Sequence, residues 1–371
     1  MQIKVARLRE TLEMVKPVVP RKPTLPVLKN VLIQSGQMFA TDLESMVVLN
    51  LPTSDGACLL PFSDVMKLIQ YIPGNDDLSI ERKRGKLTMS WSDGSVTYDA
   101  EDPKTFPQVP ELKPELQGTL EGDSLMEALS AAVTYCATEE SRPVLTGVAV
   151  NLGDVIEIFA GDGFRMAYQA LPQPFSGESK IIIPGKSVSL LAFLWNKLPR
   201  EVDAAPGTLI DLITAKQKLD LMLSEGKAVI QIGRTKVLIN LIQGSPPDWW
   251  AIIGKDPAPI KIEMLASEME RAVRRVQPVA SNGNGAIRLV WDENTMNVSA
   301  KTERQEIKVA VGMLSAEGGP GKVAINGTYL TQYLQLKQGV ITIGVKPDSA
   351  PVAFKHRSSP LVLIMPMKVE W

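Results

Sequence analysis
The chain states one structural plan three times, and that repetition limits its architecture more than any single motif does. Each copy opens on apolar residues at helical spacing: Leu8, Leu12 and Val15, then Leu125, Leu129 and Val133, then Met269, Val273 and Val276. Such spacing draws one apolar stripe along a helix. A strand hairpin follows each time, turning at Ser35-Gly36, Gly153-Asp154 and Glu293-Asn294 between runs rich in β-branched residues. A strand then runs into a second, short helix, with Pro61, Pro184 and Asn326 in matching places at its start, and a closing strand ends the copy.

The first two helices begin 117 residues apart, Leu8 to Leu125, and the next two 144, Leu125 to Met269. Each copy is therefore a domain-sized unit rather than one turn of a short-period solenoid. A chain of 371 residues is long enough for three such units, each with its own core. The boundaries expected are residues 1–115, 116–256 and 257–371. The class expected is α+β, with helices packed on one face of each antiparallel sheet.

No stretch approaches the roughly 20 apolar residues of a membrane span, and the opening MQIKVARLRE lacks the apolar core of a signal peptide. A cytoplasmic protein is expected. Cys58 and Cys136 fall in different copies and in apolar surroundings, so they read as reduced core thiols rather than a disulfide. Net charge is near zero but uneven: 14 basic against 15 acidic residues in copy one, 12 against 16 in copy two, 14 against 10 in copy three. That gradient suits head-to-tail docking of subunits, a basic surface for an acidic polymer, or ordinary surface variation.

Residue types argue against catalysis. The single histidine, His356, stands in a strand-like run and reads as a structural or surface residue; neither a nucleophile–histidine pair nor a zinc cluster can be assembled. The string Gly185-Lys186-Ser187 fails as a phosphate-binding loop, because the glycine needed five positions earlier is Lys180. Asp162, between glycines, reads as a turn residue rather than an acid or ligand. No cofactor, metal or enzyme activity is expected, and the chain reads as a binding protein.

Three strings carry a family resemblance: PTLPVLKNVLI with ATDLESMVV in copy one, LTGVAV with AGDGFRMAY in copy two, and LVLIMPM near residue 367. With them the chain resembles the bacterial DNA polymerase III β subunit, the sliding clamp, over nearly all its length. The resemblance implies the DNA clamp fold, with helices lining an inner face and sheets outside. It implies a ring-shaped head-to-tail homodimer around duplex DNA, bound without sequence preference. It also implies partners: the replicative polymerase, an ATP-driven clamp loader, and other proteins carrying short clamp-binding peptides. A divergent accessory clamp of a mobile element, or a protein-interaction scaffold without DNA, are the alternatives.

The resemblance implies two kinds of site. A partner-peptide pocket would be lined by Leu145, Gly163, Phe164, Arg165, Met166, Pro247, Ile252, Leu363, Met365, Pro366 and Met367; without it, these read mostly as strand core. Methionines beside aliphatics suit a groove that accepts several peptides. Phe164 stands where histidine is common in relatives, which makes the pocket more apolar. DNA-facing positions would be Lys22, Arg142, Lys186, Lys197, Arg200, Arg271, Arg274 and Arg275. Ser63-Asp64 and Pro143-Val144 depart from the basic and tyrosine residues of many relatives, which argues against direct DNA contact at those two places. Finally, Val369-Glu370-Trp371 runs on past the family's usual end, and Trp371 is a candidate to fold over the pocket.

Overall fold
The computed structural model describes all residues except 54–55, 111, 140, 201–216, 347–349 and 358. Among the described residues the helices are α1 (Val5–Val15), α2 (Phe62–Ile69), α3 (Gly122–Ala132), α4 (Gly185–Lys197), α5 (Trp249–Ile253), α6 (Ala266–Ser281) and α7 (Gly327–Leu334). Two compact units contain them. One holds Met1–Glu127, Leu152–Val155 and Gln173–Gln243; the other holds Ala128–Asn151, Ile156–Pro172 and Gly244–Trp371.

In the first unit an antiparallel sheet runs in the order Ala57–Pro61, Asn30–Gln34, Gln37–Thr41, Ser45–Asn50, Thr235–Asn240, Lys227–Ile232, Lys218–Ser224, Leu116–Glu121. Copy one meets copy two inside it, with Ser45 opposite Ile239 and Val48 opposite Lys236. A second sheet takes Gln2–Lys4, Asp77–Lys83, Lys86–Trp91 and Gly94–Asp99 in that order. Leu8, Leu12 and Val15 are fully buried, as the stripe on α1 requires.

The second unit repeats the scheme. Its larger sheet runs Gly147–Leu152, Ile156–Gly161, Arg165–Leu171, Leu361–Ile364, Val352–His356, Val340–Val345, Ile260–Leu265, Ser315–Glu317, and joins copy two to copy three with Arg165 opposite Ile364. Its four-stranded sheet takes Glu306–Gly312, Thr295–Lys301, Ala286–Trp291 and Gly321–Asn326. Met269, Val273 and Val276 of α6 are fully buried.

Local chemistry accounts for the landmarks. The Ser35-Gly36 turn has φ of +50° and +72°, the backbone of a tight two-residue hairpin that glycine tolerates best. Pro61, Pro184 and Asn326 are the N-cap residues of α2, α4 and α7. Only Asn326 caps with its side chain, accepting from the backbone N–H groups of Thr328 and Tyr329; the prolines preset the backbone.

Two features differ from expectation. Each copy closes on three strands rather than one, for example Asp77–Lys83, Lys86–Trp91 and Gly94–Asp99 in copy one. Half-exposed strands such as Gly94–Asp99 bury little on either face, so their apolar signal is weak. Val133 does not extend the α3 stripe; it is half-buried in a 3-10 turn, Val133–Tyr135. Such a tightened turn is a common way for the backbone to leave a helix end.

Candidate partner-binding site
The site grows from a turn that recurs at the same place in each copy. At Asp162, one carboxylate oxygen accepts from the N–H groups of Phe164 (2.9 Å) and Arg165 (3.0 Å), so the aspartate mimics a backbone turn. Asp42 does the same for Glu44 and Ser45, and the Thr302 hydroxyl does it for Arg304 and Gln305. Asp162 is thus the turn residue expected. Copy two alone places an arginine at the fourth position, and the second oxygen of Asp162 accepts from its Nε at 3.0 Å.

Arg165 is largely buried, its side chain 8% exposed. Its guanidinium donates to the Thr134 carbonyl at 3.0 Å and to Gln332 Oε1 on α7. Tyr135 and Tyr329 flank it, with ring centroids 5.0 and 4.4 Å from the guanidinium carbon. Every donor thus has a planar or charged neighbour, which is the setting that separates arginine from lysine. Burial pushes the Tyr135 hydroxyl up to about 12 and raises that of Tyr329.

Beside this hub lies a cavity of about 610 Å³, bounded by Leu145, Gly163, Phe164 and Arg165 together with Arg142, Cys136 and Tyr329. Leu145 is buried and Phe164 is 64% exposed, so the cavity offers an apolar wall with a free edge. Gly163 has φ of +94°, and a Cβ there would lie 3.4 Å from the Arg142 guanidinium. Cys136 is free; burial raises its thiol to about 12, so it enters the cavity wall as a neutral group.

The other predicted pocket residues take different places in the same unit. Met166 and Leu363 are buried opposite each other across the sheet. Met365, exposed, donates its N–H to the Phe164 carbonyl at 2.8 Å. Ile252 is exposed and Pro247 half-buried. Pro366 and Met367 border a second cavity of about 530 Å³. Trp371 is not among the residues lining the first cavity; it packs against Arg288 at the second. Sequence reasoning missed Tyr329, whose role depends on α7 meeting the turn; of the tandem tryptophans, Trp249 is buried and stacks at 6.0 Å on Phe159, while Trp250 stays exposed.

Most of the basic candidates are exposed on helices or loops. Lys22 follows α1; Lys186 and Lys197 lie on α4, the former 4.0 Å from Glu44. Arg200 pairs with Asp123 at 3.2 Å. On α6, Arg271 pairs with Glu268 and Arg274 with Glu270 at 2.7 Å, while Arg275 shares their exposed side. Exposed pairs of this kind contribute about 0–1 kcal/mol each, so they can exchange partners cheaply. Arg142 instead lines the first cavity. His356 holds its ring nitrogen 2.6 Å from the Gln338 carbonyl. Among the described residues no helix is long and apolar enough to cross a membrane.

Comparison with known proteins agrees along the chain. The family described as DNA polymerase III beta subunit, central domain, matches residues 119–205. The β sliding clamp of Synechococcus elongatus is 23% identical over 98% of this chain and 97% of its own; that of Staphylococcus epidermidis is 22% identical over 97% and 92%. Among solved structures, the Pseudomonas aeruginosa DNA polymerase III β subunit superposes with a TM-score of 0.86 at 20% identity, covering 100% of this chain and 99% of that one. A putative β subunit from Eubacterium rectale gives 0.87 at 16% identity, covering 99% of each. The chain is thus similar in its central part to the DNA polymerase III beta subunit family, similar over nearly its whole length to bacterial β sliding clamps, and shares the fold of solved DNA polymerase III β subunits.

Proposed function
We propose that this chain is a bacterial DNA sliding clamp, which closes as a head-to-tail homodimer around duplex DNA and carries the replicative polymerase along it. Each subunit contributes three similar domains, residues 1–115, 116–256 and 257–371. The observation that carries the reading is a rule in the sheets. Ser45–Asn50 of copy one pairs with Thr235–Asn240, the last strand of copy two. Arg165–Leu171 of copy two pairs with Leu361–Ile364, the last strand of copy three. The third member of the series, Glu306–Gly312, ends its sheet, and so does the remaining last strand, Gly94–Asp99. Joining Glu306–Gly312 of one chain to Gly94–Asp99 of another continues the rule, is heterologous, and covers edges that invite aggregation.

A closed ring is retained on DNA by topology, so weak, sequence-independent phosphate contacts suffice. The exposed basic residues of α4 and α6 have the chemistry for such contacts. The cavity beside Phe164 and Arg165 suits a short apolar peptide of a partner, the polymerase or another replication or repair protein. Tethering then holds that partner at high effective concentration near the primer end. The ring does no chemistry; an ATP-driven loader opens it, and it works in the cytoplasm. Ser63-Asp64 and Pro143-Val144 favour, as a second reading, an accessory clamp of a mobile element serving a different polymerase.

Small-angle scattering tests the ring, and retention on DNA tests the function. The expected result is twice the chain mass of 40.5 kDa. The radius of gyration should exceed the roughly 27 Å of a compact particle of that size, with retention on nicked circular DNA and loss after linearisation. A monomer, or equal retention on both DNA forms, rejects the proposal.

A further inference from the structure
The second cavity, about 530 Å³, opens on the four-stranded sheet of copy three. Ile287 and Leu289 of the strand Ala286–Trp291 are buried, and Arg288 between them points to the other face. Four cations line the cavity, Arg288, Lys322, Lys346 and Lys368, and no carboxylate among the described lining residues offsets them. Its floor is preformed. Trp291 is buried and donates its indole N–H to the Gly319 carbonyl at 3.1 Å. A Cβ at Gly321 would fall 2.4 Å from that ring, so glycine lets the indole lie against the strand.

The chain's own final residues indicate what such a surface takes. Pro366 bridges to Ile325, and Met367 donates its N–H to the Ala324 carbonyl at 2.7 Å, so the segment runs along the open edge of Gly321–Asn326. It ends with Trp371 at Arg288: the guanidinium donates to the Trp371 carbonyl and stands 5.8 Å from the ring centroid. Trp371 is only half-buried and Glu370 is exposed. One hydrogen bond and one cation–π contact on a half-buried ring make a displaceable hold.

We propose that this cavity is a second docking site, for a partner segment that sets an aromatic residue beside a carboxylate, and that Glu370-Trp371 occupies its rim until displaced. Positive potential over an apolar floor selects that chemistry against neutral or basic segments. The site lies wholly within copy three and does not depend on ring closure or on the cavity beside Phe164.

Fluorescence anisotropy of an amidated, fluorescein-labelled KVEW peptide tests it. The titrations use the full chain, a chain lacking residues 369–371, and that shortened chain carrying Arg288→Ala or Arg288→Lys. Removing a tethered competitor should tighten binding by about tenfold, Arg288→Ala should abolish the gain, and Arg288→Lys should restore part of it. A KVQW peptide should bind more weakly. Equal affinity for full and shortened chains, no binding to the shortened chain, or indifference to Arg288→Ala overturns the proposal. Retention of the shortened chain on circular DNA reports separately on the clamp function.

Discussion
The guanidinium of Arg165 lies 4.4 Å from the centroid of the Tyr329 ring, and through that contact a turn of copy two is fastened to a helix of copy three. The same side chain reaches Thr134, Gln332 and Asp162. Arg165 therefore acts less as a surface for a ligand than as the post on which the cavity wall hangs, with Phe164 pointing outward from the adjoining position.

Arg165→Ala should accordingly cost about 3 kcal/mol, because it leaves Asp162 without its charged partner in a mostly buried place. The turn donors to Asp162 keep the loss from being larger. Arg165→Lys should recover less than half, since an ammonium cannot serve three acceptors and two rings at once. Urea unfolding of the three chains measures this; a shift no larger than that of an exposed arginine, such as Arg275→Ala, would remove Arg165 from its role.

Legibility in the sequence followed the strength of local physics. Helix stripes and caps were readable because Leu8, Leu12 and Val15, or Asn326, act through neighbours within one or two turns. The three closing strands were not, because residues such as those of Gly94–Asp99 are half-exposed. At the site, the Asp162 turn was legible, whereas Tyr329 was not: it stands 164 positions beyond Arg165, and only packing brings the two together. The recurrence of that turn at Thr302 was hidden by a change of residue type that keeps an acceptor oxygen in place.

Stability should fall at alkaline pH. Burial raises Cys58, Cys136 and Tyr135 to about 12, from ordinary values of 9.0 for the thiols and 10.0 for the phenol. The folded chain keeps these protons while the unfolded chain releases them. Their contribution is thus complete below about pH 9 and lost as pH rises from there toward 12. The melting temperature should be level from about pH 7 to 8.5 and decline beyond pH 9, and Cys58→Ala with Cys136→Ala should move the onset toward pH 10. An onset unmoved by that double substitution would locate the alkaline transition elsewhere.

The exposed side of α6 should govern the salt dependence of DNA binding. Arg271 and Arg274 must release Glu268 and Glu270 to meet phosphate, whereas Arg275 forms no such pair among the described residues. Changing all three to glutamine should lower the slope of log affinity against log salt by about 2–3, near 0.9 for each phosphate left without its cation. Arg275→Gln should give the largest single effect. Filter binding on circular duplex across a salt series decides it; an unchanged slope would show that α6 does not face the phosphates.

The sheet rule predicts a register for the subunit interface. Ser45, Arg165 and Gln305 close the three equivalent turns. In copy one Ser45 stands opposite Ile239, the fifth residue of Thr235–Asn240. The fifth residue of Gly94–Asp99 is Tyr98, so Gln305 of one chain should face Tyr98 of the other, and Ile307 should face Val96. Both Ile307 and Val96 are half-buried between exposed neighbours, so the register also brings inward-facing side chains together, as a paired strand requires. A chain carrying Val96→Cys and Ile307→Cys should therefore oxidise to a covalent dimer, and Thr97→Cys with Ile307→Cys should cross-link far less, because those positions face opposite sides. Lys308→Pro should leave a folded monomer by light scattering, as the Lys308 N–H points away from its own sheet and proline there removes a donor from the edge that must pair. Equal cross-linking of the two cysteine pairs, or a dimer that survives the proline, would show that the chains meet through some other surface.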